Sequence, residues 1–389
     1  MNLMPDLKIF ATHPVQYLVP FYRELIEAGL EIEVGYYHQG TAGRVGRDAE
    51  FGIDIEWDID LLTGYRYHIF LSQMATYTVS EQIKLAPKFL RWASRGRQTP
   101  LLLIGWSLEI VWLVWLLRNS CRAPVMLLSE TTPLSFAASP KPRWRRALLS
   151  WLLRNTSACL FIGTRNRDFY STMQVPDERL FFVPYSIDNA RFSREALKCM
   201  PRRQELCQQY GLDPGLPAFL SCGKLIPKKR PLQLFEAYMA AGLKDRAQLL
   251  YVGEGMLRPE IECRIQNAGA RHVHLIGFFN QTQMPLAYVL GEILCLISDP
   301  TETWGLVVNE ALACGRPVIV SETVGCAPDL VGEENGWVVP LDDLDMLVKT
   351  LLNAYERREE WPRIGQRGRE KVAEHKFSAM AAGVRSALV

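Results

Sequence analysis

Residues 298–331 read SDPTETWGLVVNEALACGRPVIVSETVGCAPDLV. An apolar run of strand length, Ile293 to Ile297, leads into them. After Gly305, LVVNEALA places Leu306, Glu310 and Ala313 at helical spacing, and Gly315-Arg316-Pro317 ends that helix before the β-branched run Val318 to Val320. The unit is strand, loop, helix, strand. In an open parallel sheet the loop after a strand sits at the carboxyl edge, where ligands bind, and the next helix opens with free N–H groups suited to phosphate. Two carboxylates, Glu302 and Glu310, frame that loop. They predict a ligand carrying hydroxyls as well as phosphates.

Outward from this unit the same alternation recurs. Strands are predicted at Phe219 to Cys222, Gln248 to Val252, His274 to Ile276 and Trp337 to Val339, and helices lie between them, which predicts a doubly wound parallel sheet. An earlier series begins with Leu7 to Ala11, a helix closing at Gly29 and a strand from Leu30 to Tyr36; it continues at Leu101 to Ile104, Pro124 to Leu128, Ser157 to Ile162 and Leu180 to Val183. Between the series, residues 193–217 are charged and punctuated by Pro and Gly, as expected of a domain boundary. A chain of 389 residues, 48% hydrophobic and 22% charged, fills two cores of ordinary size. The stretch from 38 to 66, rich in Gly and Asp with interspersed aromatics, reads as a long ordered loop, either an acceptor-recognition segment or an irregular insertion.

Bulk properties exclude several classes. The net charge of +2 gives no overall case for nucleic acid. Nine cysteines without a CxxC pair, mostly in apolar contexts, point to reduced thiols in a cytoplasmic protein. The N-terminus, MNLMPDLKIFATHPVQY, lacks a basic n-region and an apolar h-region and is not a signal peptide. LLLIGWSLEIVWLVWLL, residues 101–117, spans 17 residues interrupted by Gly105, Ser107 and Glu109, short of the roughly 20 a bilayer core requires. It reads as a buried strand, a turn and a buried helix. KPRWRRALLSWLLR, residues 141–154, is a basic helix with Trp and Leu on its other face. That pattern suits the surface of an anionic membrane, and equally an amphipathic helix packed on the sheet.

At the exit of Phe219 to Cys222 stands Gly223-Lys224-Leu-Ile-Pro-Lys228-Lys229-Arg230-Pro231, a glycine turn with four cations. It meets two needs of a diphosphate, close backbone approach and positive charge on a departing phosphate. The next exits are Val252-Gly253-Glu254-Gly255 and Gly277-Phe278. In the first series, His13 and Glu130 stand at the carboxyl ends of their strands.

GKLIPKKRP, VGEG, IGFF and the run from Ser298 to Val331, with its Glu-x7-Glu spacing at Glu302 and Glu310, resemble the donor-binding half of retaining GT-B glycosyltransferases of the family 4 type, the glycosyl transferases group 1. The resemblance implies two Rossmann-like doubly wound domains facing across a cleft: an acceptor-binding domain at 1–192, a nucleotide-sugar domain at 193–372, and a C-terminal helix at 373–389 crossing back to the first. It implies a hexose-type sugar moved from a UDP- or GDP-sugar to a glycan or lipid-linked acceptor, with the donor as substrate, no cofactor and no metal. By position, Lys224 replaces a common Arg, keeping charge but losing bidentate geometry. Lys224 and Lys229, at the Gly223 turn and beside Gly253, would bind the diphosphate; Glu302 the sugar hydroxyls; Glu310 the ribose; the amides of Trp304, Gly305 and Leu306 the phosphates. Arg230 stands where the family has a glycine. His13 matches a loop near the diphosphate, and Glu130 a position near the reacting carbon. Asp58-Ile59-Asp60 fits a three-letter metal pattern, lies far from the donor half and is read as incidental.

Two further readings follow from the same residues. A sugar-nucleotide epimerase on this architecture would act without an acceptor, and a non-catalytic membrane-associated binding module would rest on the basic helix alone. The intact basic turn and the two glutamates favour the transferase.

Overall fold

The computed structural model describes residues 4–48, 50–72 and 77–389. Residue 49 of the long loop read from the sequence, and the first three residues of the N-terminal stretch, lie outside these. Strands β1 (Leu7–Ala11) and β2 (Ile32–His38) precede a two-stranded ribbon, β3 (Gly46–Arg47) and β4 (Asp54–Ile55). There follow β5 (Arg66–Leu71), β6 (Leu101–Ile104), β7 (Val125–Leu128), β8 (Ala158–Phe161) and β9 (Leu180–Phe182). Except for the ribbon, these form one parallel sheet in the order β5-β2-β1-β6-β7-β8-β9. The second sheet uses β10 (Ala218–Cys222), β11 (Gln248–Val252), β12 (Val273–Gly277), β13 (Ile293–Leu296), β14 (Val318–Ser321) and β15 (Gly336–Val339). It too is parallel, in the order β12-β11-β10-β13-β14-β15. Helices cover both faces, so the central strands are largely apolar runs without alternation; every residue of β1, β7, β11, β13 and β14 is buried, including Lys8 of β1, whose ammonium donates to Trp92 O at 2.6 Å.

In each sheet the winding reverses between the first and fourth strands, β1 and β6 in one, β10 and β13 in the other. At such a switch point the two adjoining connections leave in opposite directions and open a crevice at the carboxyl edge. The loops after β10 and β13 are the basic turn and the stretch carrying Glu302.

The chain divides into two compact units, one of residues 1–46, 59–185 and 377–389, the other of 47–58 and 186–376. The division falls after Tyr185, ahead of residue 193, because Asp188 caps helix Asn189–Cys199 by accepting from Arg191 N at 2.9 Å, and that helix packs on Met284–Leu290 and Leu306–Ala313 of the second unit. Helix Phe377–Leu388 belongs to the first unit, against helix Val19–Glu27 and β9. Residues 47–58, read from the sequence as part of a first-domain loop, belong to the second unit. The same loop gives way at residue 66 to β5, which sequence reading misses because it is an edge strand whose first three residues are exposed and which buries Phe70 alone. Residues 101–117 divide as expected into β6 and the buried-faced helix Glu109–Ser120, and among the described residues no helix is long and apolar enough to cross a membrane.

Helix Trp361–Val372 holds the helix that carries Glu310. A Cβ at Gly365 would lie 1.9 Å from the backbone oxygen of Gly315, whereas one at Gly368 would press closely only on the flexible tip of Leu312, at 2.5 Å, with Asn335 Cβ in ordinary contact at 3.7 Å. Gly→Ala inside a helix ordinarily stabilises by about 1 kcal/mol. We expect Gly365→Ala to reverse that sign and cost about 1–3 kcal/mol through overpacking against backbone, while Gly368→Ala stays near neutral; urea unfolding of the two variants measures the contrast.

Candidate functional site

The site of the second unit grows from the close stacking of three strand exits. β10 leaves through Gly223, whose N–H donates to Val252 O at 2.9 Å, and β11 leaves through Gly253, whose N–H donates to Gly277 O at 2.8 Å. Gly253 has φ 145°, and a Cβ there would fall 1.9 Å from Gly223 O. No other residue fits, so this glycine sets the spacing of the two loops. Leu225 N then donates to Glu254 O at 2.8 Å, continuing the pairing past the sheet.

The basic turn closes as a single 3-10 turn, Pro227–Lys229, followed by Arg230 at φ 49°, ψ 45°. Arg230 thus adopts the left-handed conformation that the family's glycine would take at no steric cost. Its guanidinium donates to Gln233 Oε1 at 3.1 Å and to Asp342 at 2.5 Å, which ties the strained residue down. The turn aims Lys228 and Lys229 at the loop after β13. Lys228 Nζ donates to Thr301 O at 3.0 Å and lies 3.8 Å from Glu302 Oε2, Lys228 O accepts from Asp299 N at 2.9 Å, and Lys229 Nζ forms an ion pair with Glu302 Oε2. Sequence reading names Lys229 and Glu302 as site residues, and they meet. It did not single out Lys228, whose signal was its place in the same cationic run.

Glu302 is 9% exposed. Burial by itself pushes its carboxyl up, but Lys229 and Lys228 outweigh that and hold it below the ordinary carboxylate range. Its backbone is fixed as well: Glu302 N donates to Asp299 O at 3.0 Å and Glu302 O accepts from Gly325 N at 3.1 Å. Trp304 is buried and its indole donates to Asn309 Oδ1 at 2.9 Å. Gly305, at φ 93°, occupies the N-cap of helix Leu306–Ala313, where no side-chain oxygen caps the first turn. A Cβ on Gly305 would meet Leu296 Cδ2 at 2.9 Å. The helix start therefore presents a positive dipole end without a side-chain cap.

Glu310, one turn further, is in a different environment. Its Oε2 accepts from Tyr288 Oη at 2.6 Å. Burial drives its carboxyl up to about 7, with the Tyr288 hydroxyl and Arg191 opposing the rise. Lys224, in contrast, does not share the Glu302 pair. Its Nζ lies 2.5 Å from Glu50 and 3.6 Å from Asp48, and 5.0 Å above the Phe51 ring.

His13 and Glu130 lie in the other unit. His13, just past β1, stacks on His38 with ring centroids 5.3 Å apart and planes 12° apart. His38 Nδ1 accepts from Gly40 N at 2.8 Å, which leaves Nε2 as the side facing Tyr77 Oη. Burial, with His13 and Arg44 alongside, lowers His38 to about 4, so it is neutral at physiological pH. Glu130, past β7, accepts from the Tyr185 hydroxyl, and Tyr185 meets Tyr17 edge-on at 5.5 Å. Asp58 and Asp60 do not share a site: Asp58 accepts from Thr282 N at 3.0 Å in the second unit, and Asp60 accepts from Leu62 N at 3.0 Å in the first.

Comparison with known proteins places this geometry. Residues 202–371 match the family model of glycosyl transferases group 1. The alpha-D-kanosaminyltransferase of Streptomyces kanamyceticus is 29% identical over 261 residues, 65% of this chain and 64% of that one. A GDP-mannose-dependent alpha-(1-6)-phosphatidylinositol monomannoside mannosyltransferase of Mycobacterium tuberculosis is 24% identical over 246 residues, 61% of this chain and 63% of that one. The chain thus spans less than two thirds of either relative's length. Anabaena HepE, solved in complex with UDP, matches in fold with a TM-score of 0.72 over 98% of each chain at 14% identity.

The raised Glu310 carboxyl has a consequence for stability. Unfolded, a glutamate titrates near 4.3; folded, this one titrates at about 7. The unfolded chain releases its proton first as pH rises, so Glu310 destabilises the fold progressively between those values and fully above the folded one. Glu310→Gln keeps the shape and can still accept from Tyr288. We expect it to raise Tm relative to wild type at pH 8, reflecting up to a few kcal/mol of added stability at about 1.36 kcal/mol per pKa unit, with the gain vanishing near pH 4.

Proposed function

We propose, from the match of residues 202–371 to the family model of glycosyl transferases group 1 and the GT-B fold, that the chain is a retaining glycosyltransferase of that family, moving a hexose-type sugar from a UDP- or GDP-sugar to a glycan or lipid-linked hydroxyl. The observation that carries the reading is the convergence of Lys228 and Lys229 on Glu302 at the β10/β13 switch point, beside the helix start at Gly305 that no side chain caps. Relatives that use GDP-mannose and a fold neighbour solved with UDP support a nucleotide-sugar donor.

In this reading the anomeric C–O bond to the diphosphate breaks, and its electron pair leaves with the nucleoside diphosphate. The acceptor oxygen bonds to the anomeric carbon from the same face, and the acceptor proton passes to the departing phosphate. Lys224, Lys229 and the amides of residues 304–306 stabilise the charge that develops on the leaving group. Glu302, kept ionised by its lysines, accepts from sugar hydroxyls, and Glu310 accepts from the ribose. Lysines supply the positive charge, so the reading assigns no metal or other cofactor. His13 approaches the diphosphate, Glu130 stands near the reacting carbon, and the reaction takes place in the cytoplasm.

The test is a thermal-shift panel of UDP-, GDP- and ADP-sugars. One base series is expected to stabilise, by about 2.7 kcal/mol at a hundredfold excess over Kd. Glu302→Gln and Lys229→Ala should each lower kcat by about 100- to 1,000-fold, and NMR of the product should show the donor's anomeric configuration. Inverted product, or epimerised donor formed without acceptor, would overturn the reading.

Helix Arg143–Arg154 buries Leu149, Leu152 and Leu153 but leaves Trp144 65% and Trp151 41% exposed among its arginines. Exposed tryptophans in a basic helix favour peripheral contact with an anionic membrane, as a lipid-linked acceptor requires. Replacing Arg143, Arg145 and Arg146 together by Ala should weaken co-sedimentation with phosphatidylserine vesicles about 100-fold, at about 1 kcal/mol per cation; binding unchanged by the replacement would exclude this contact.

A further inference from the structure

Of the two lysines assigned to the diphosphate, Lys224 has the partners that are more distant in sequence, Glu50 being 174 positions away and Glu302 73 from Lys229. The partners of Lys224 are Asp48, Glu50 and Phe51, residues that fold with the second unit although they precede it by more than a hundred positions. The ribbon β3–β4 makes their turn: Asp48 N donates to Ile53 O at 3.0 Å, and Asp48 Oδ1 accepts from Glu50 N and Phe51 N at 2.9 Å each. The turn thereby presents Glu50 and the Phe51 ring to Lys224. At its other end the segment is anchored beyond β12. Asn280 Nδ2 donates to Glu56 O at 2.6 Å, Thr282 N to Asp58 Oδ2 at 3.0 Å, and Phe278 lies edge-on to Phe51 at 5.1 Å and to Trp57 at 6.5 Å. Residues 50–58 therefore run along the carboxyl edge of the second sheet, from the exit of β12 to the exit of β10.

We propose that this segment is a counter-ion strap: Glu50, positioned by Asp48 and Phe51, occupies Lys224 until the donor diphosphate displaces it. The inference rests on the donor-binding role proposed above for Lys224. Its chemistry is competition between one carboxylate and a diphosphate for the same ammonium. The relative strengths of the pairs decide which one yields. The Glu50 side chain is 62% exposed and that of Lys224 26%, whereas Glu302 and Lys229 are 11% and 18% exposed. A partly exposed pair is weak and screened by salt, so Glu50 yields where Glu302 does not. Asp48 stays, since its carboxylate also holds the turn. The pinned end at Asn280 and Thr282 confines release to the Glu50 side chain and leaves residues 56–58 held beyond β12.

The experiment is calorimetric titration of the full chain with UDP and with GDP at low and high salt, on wild type, Glu50→Gln, Lys224→Ala and the double variant. Whichever nucleotide the wild type binds should bind Glu50→Gln about two- to fivefold tighter at low salt. The gain should shrink at high salt and disappear in the Lys224→Ala background, because the competing pair no longer exists there. Equal or weaker binding by Glu50→Gln, or a gain that persists without Lys224, overturns the strap while leaving donor binding intact. A wild type that binds neither nucleotide overturns the donor-site reading and the strap with it. Since Glu50 is exposed, matched melting temperatures of the variants confirm that all of them fold.

Discussion

The ion pair between Lys229 and Glu302 is the constraint around which the second unit is arranged. Its two members leave adjacent strands, β10 and β13, 73 positions apart in sequence. Two charges this far from water are tolerated only with good geometry, and breaking such a pair from one side costs about 3–5 kcal/mol. The backbone around it supplies that geometry. Asp299 donates to Lys228, Lys228 donates back to Thr301, and Gly325 donates to Glu302. Gly253 lets the neighbouring loop come within contact of Gly223. Without that close approach the basic turn would stand off the sheet and its lysines would reach solvent before they reached Glu302.

The two glutamates of the motif differ in protonation because their surroundings differ. Glu302 faces two ammonium groups and is held ionised; Glu310 is buried beside the Tyr288 hydroxyl, with Arg191 too weak to offset that burial, and titrates near neutrality. One turn of helix and a short loop separate them, yet one is a permanent anion and the other sits close to the point where a proton is shared. A pair of acids whose environments push them apart in this way divides into distinct roles. A ligand hydroxyl that donates to Glu310 would favour its anion, so binding there couples to proton release, whereas binding at Glu302 does not.

Legibility in the sequence followed the range of the contact. Buried parallel strands announce themselves as short, largely apolar runs, and nearly all of them were readable because burial on both faces admits few polar residues, Lys8 of β1 being one. β5 was not, since an edge strand of Arg-Tyr-His-Ile-Phe-Leu buries too little to show a pattern. Among site residues, those within one strand-loop-helix unit, Glu302, Gly305 and Glu310, were legible from spacing alone. That Lys229 reaches Glu302 needed only the assumption that neighbouring strand exits converge. That Lys224 turns instead to Glu50 was not legible, because a contact across 174 positions leaves no periodic trace. The unit assignment of residues 47–58 was hidden for the same reason: composition marks a loop, and says nothing of which sheet its side chains meet.

These three lysines therefore form a graded set. Lys228 spends a hydrogen bond on the Thr301 carbonyl and lies at the edge of the Glu302 field, Lys229 is locked to Glu302, and Lys224 is held by an exposed carboxylate and an aromatic face. An anion entering the crevice gains most from the cation whose present partner is easiest to rehydrate. Glu50, largely in solvent already, regains its hydration on release at little cost; Glu302, enclosed, would be left as an uncompensated buried charge. The order of exchange follows from desolvation alone. On the proposed donor-site reading, a diphosphate would take Lys224 first and add to the field of Lys229 without dissolving its pair, which would leave Glu302 ionised and in place to receive hydroxyls.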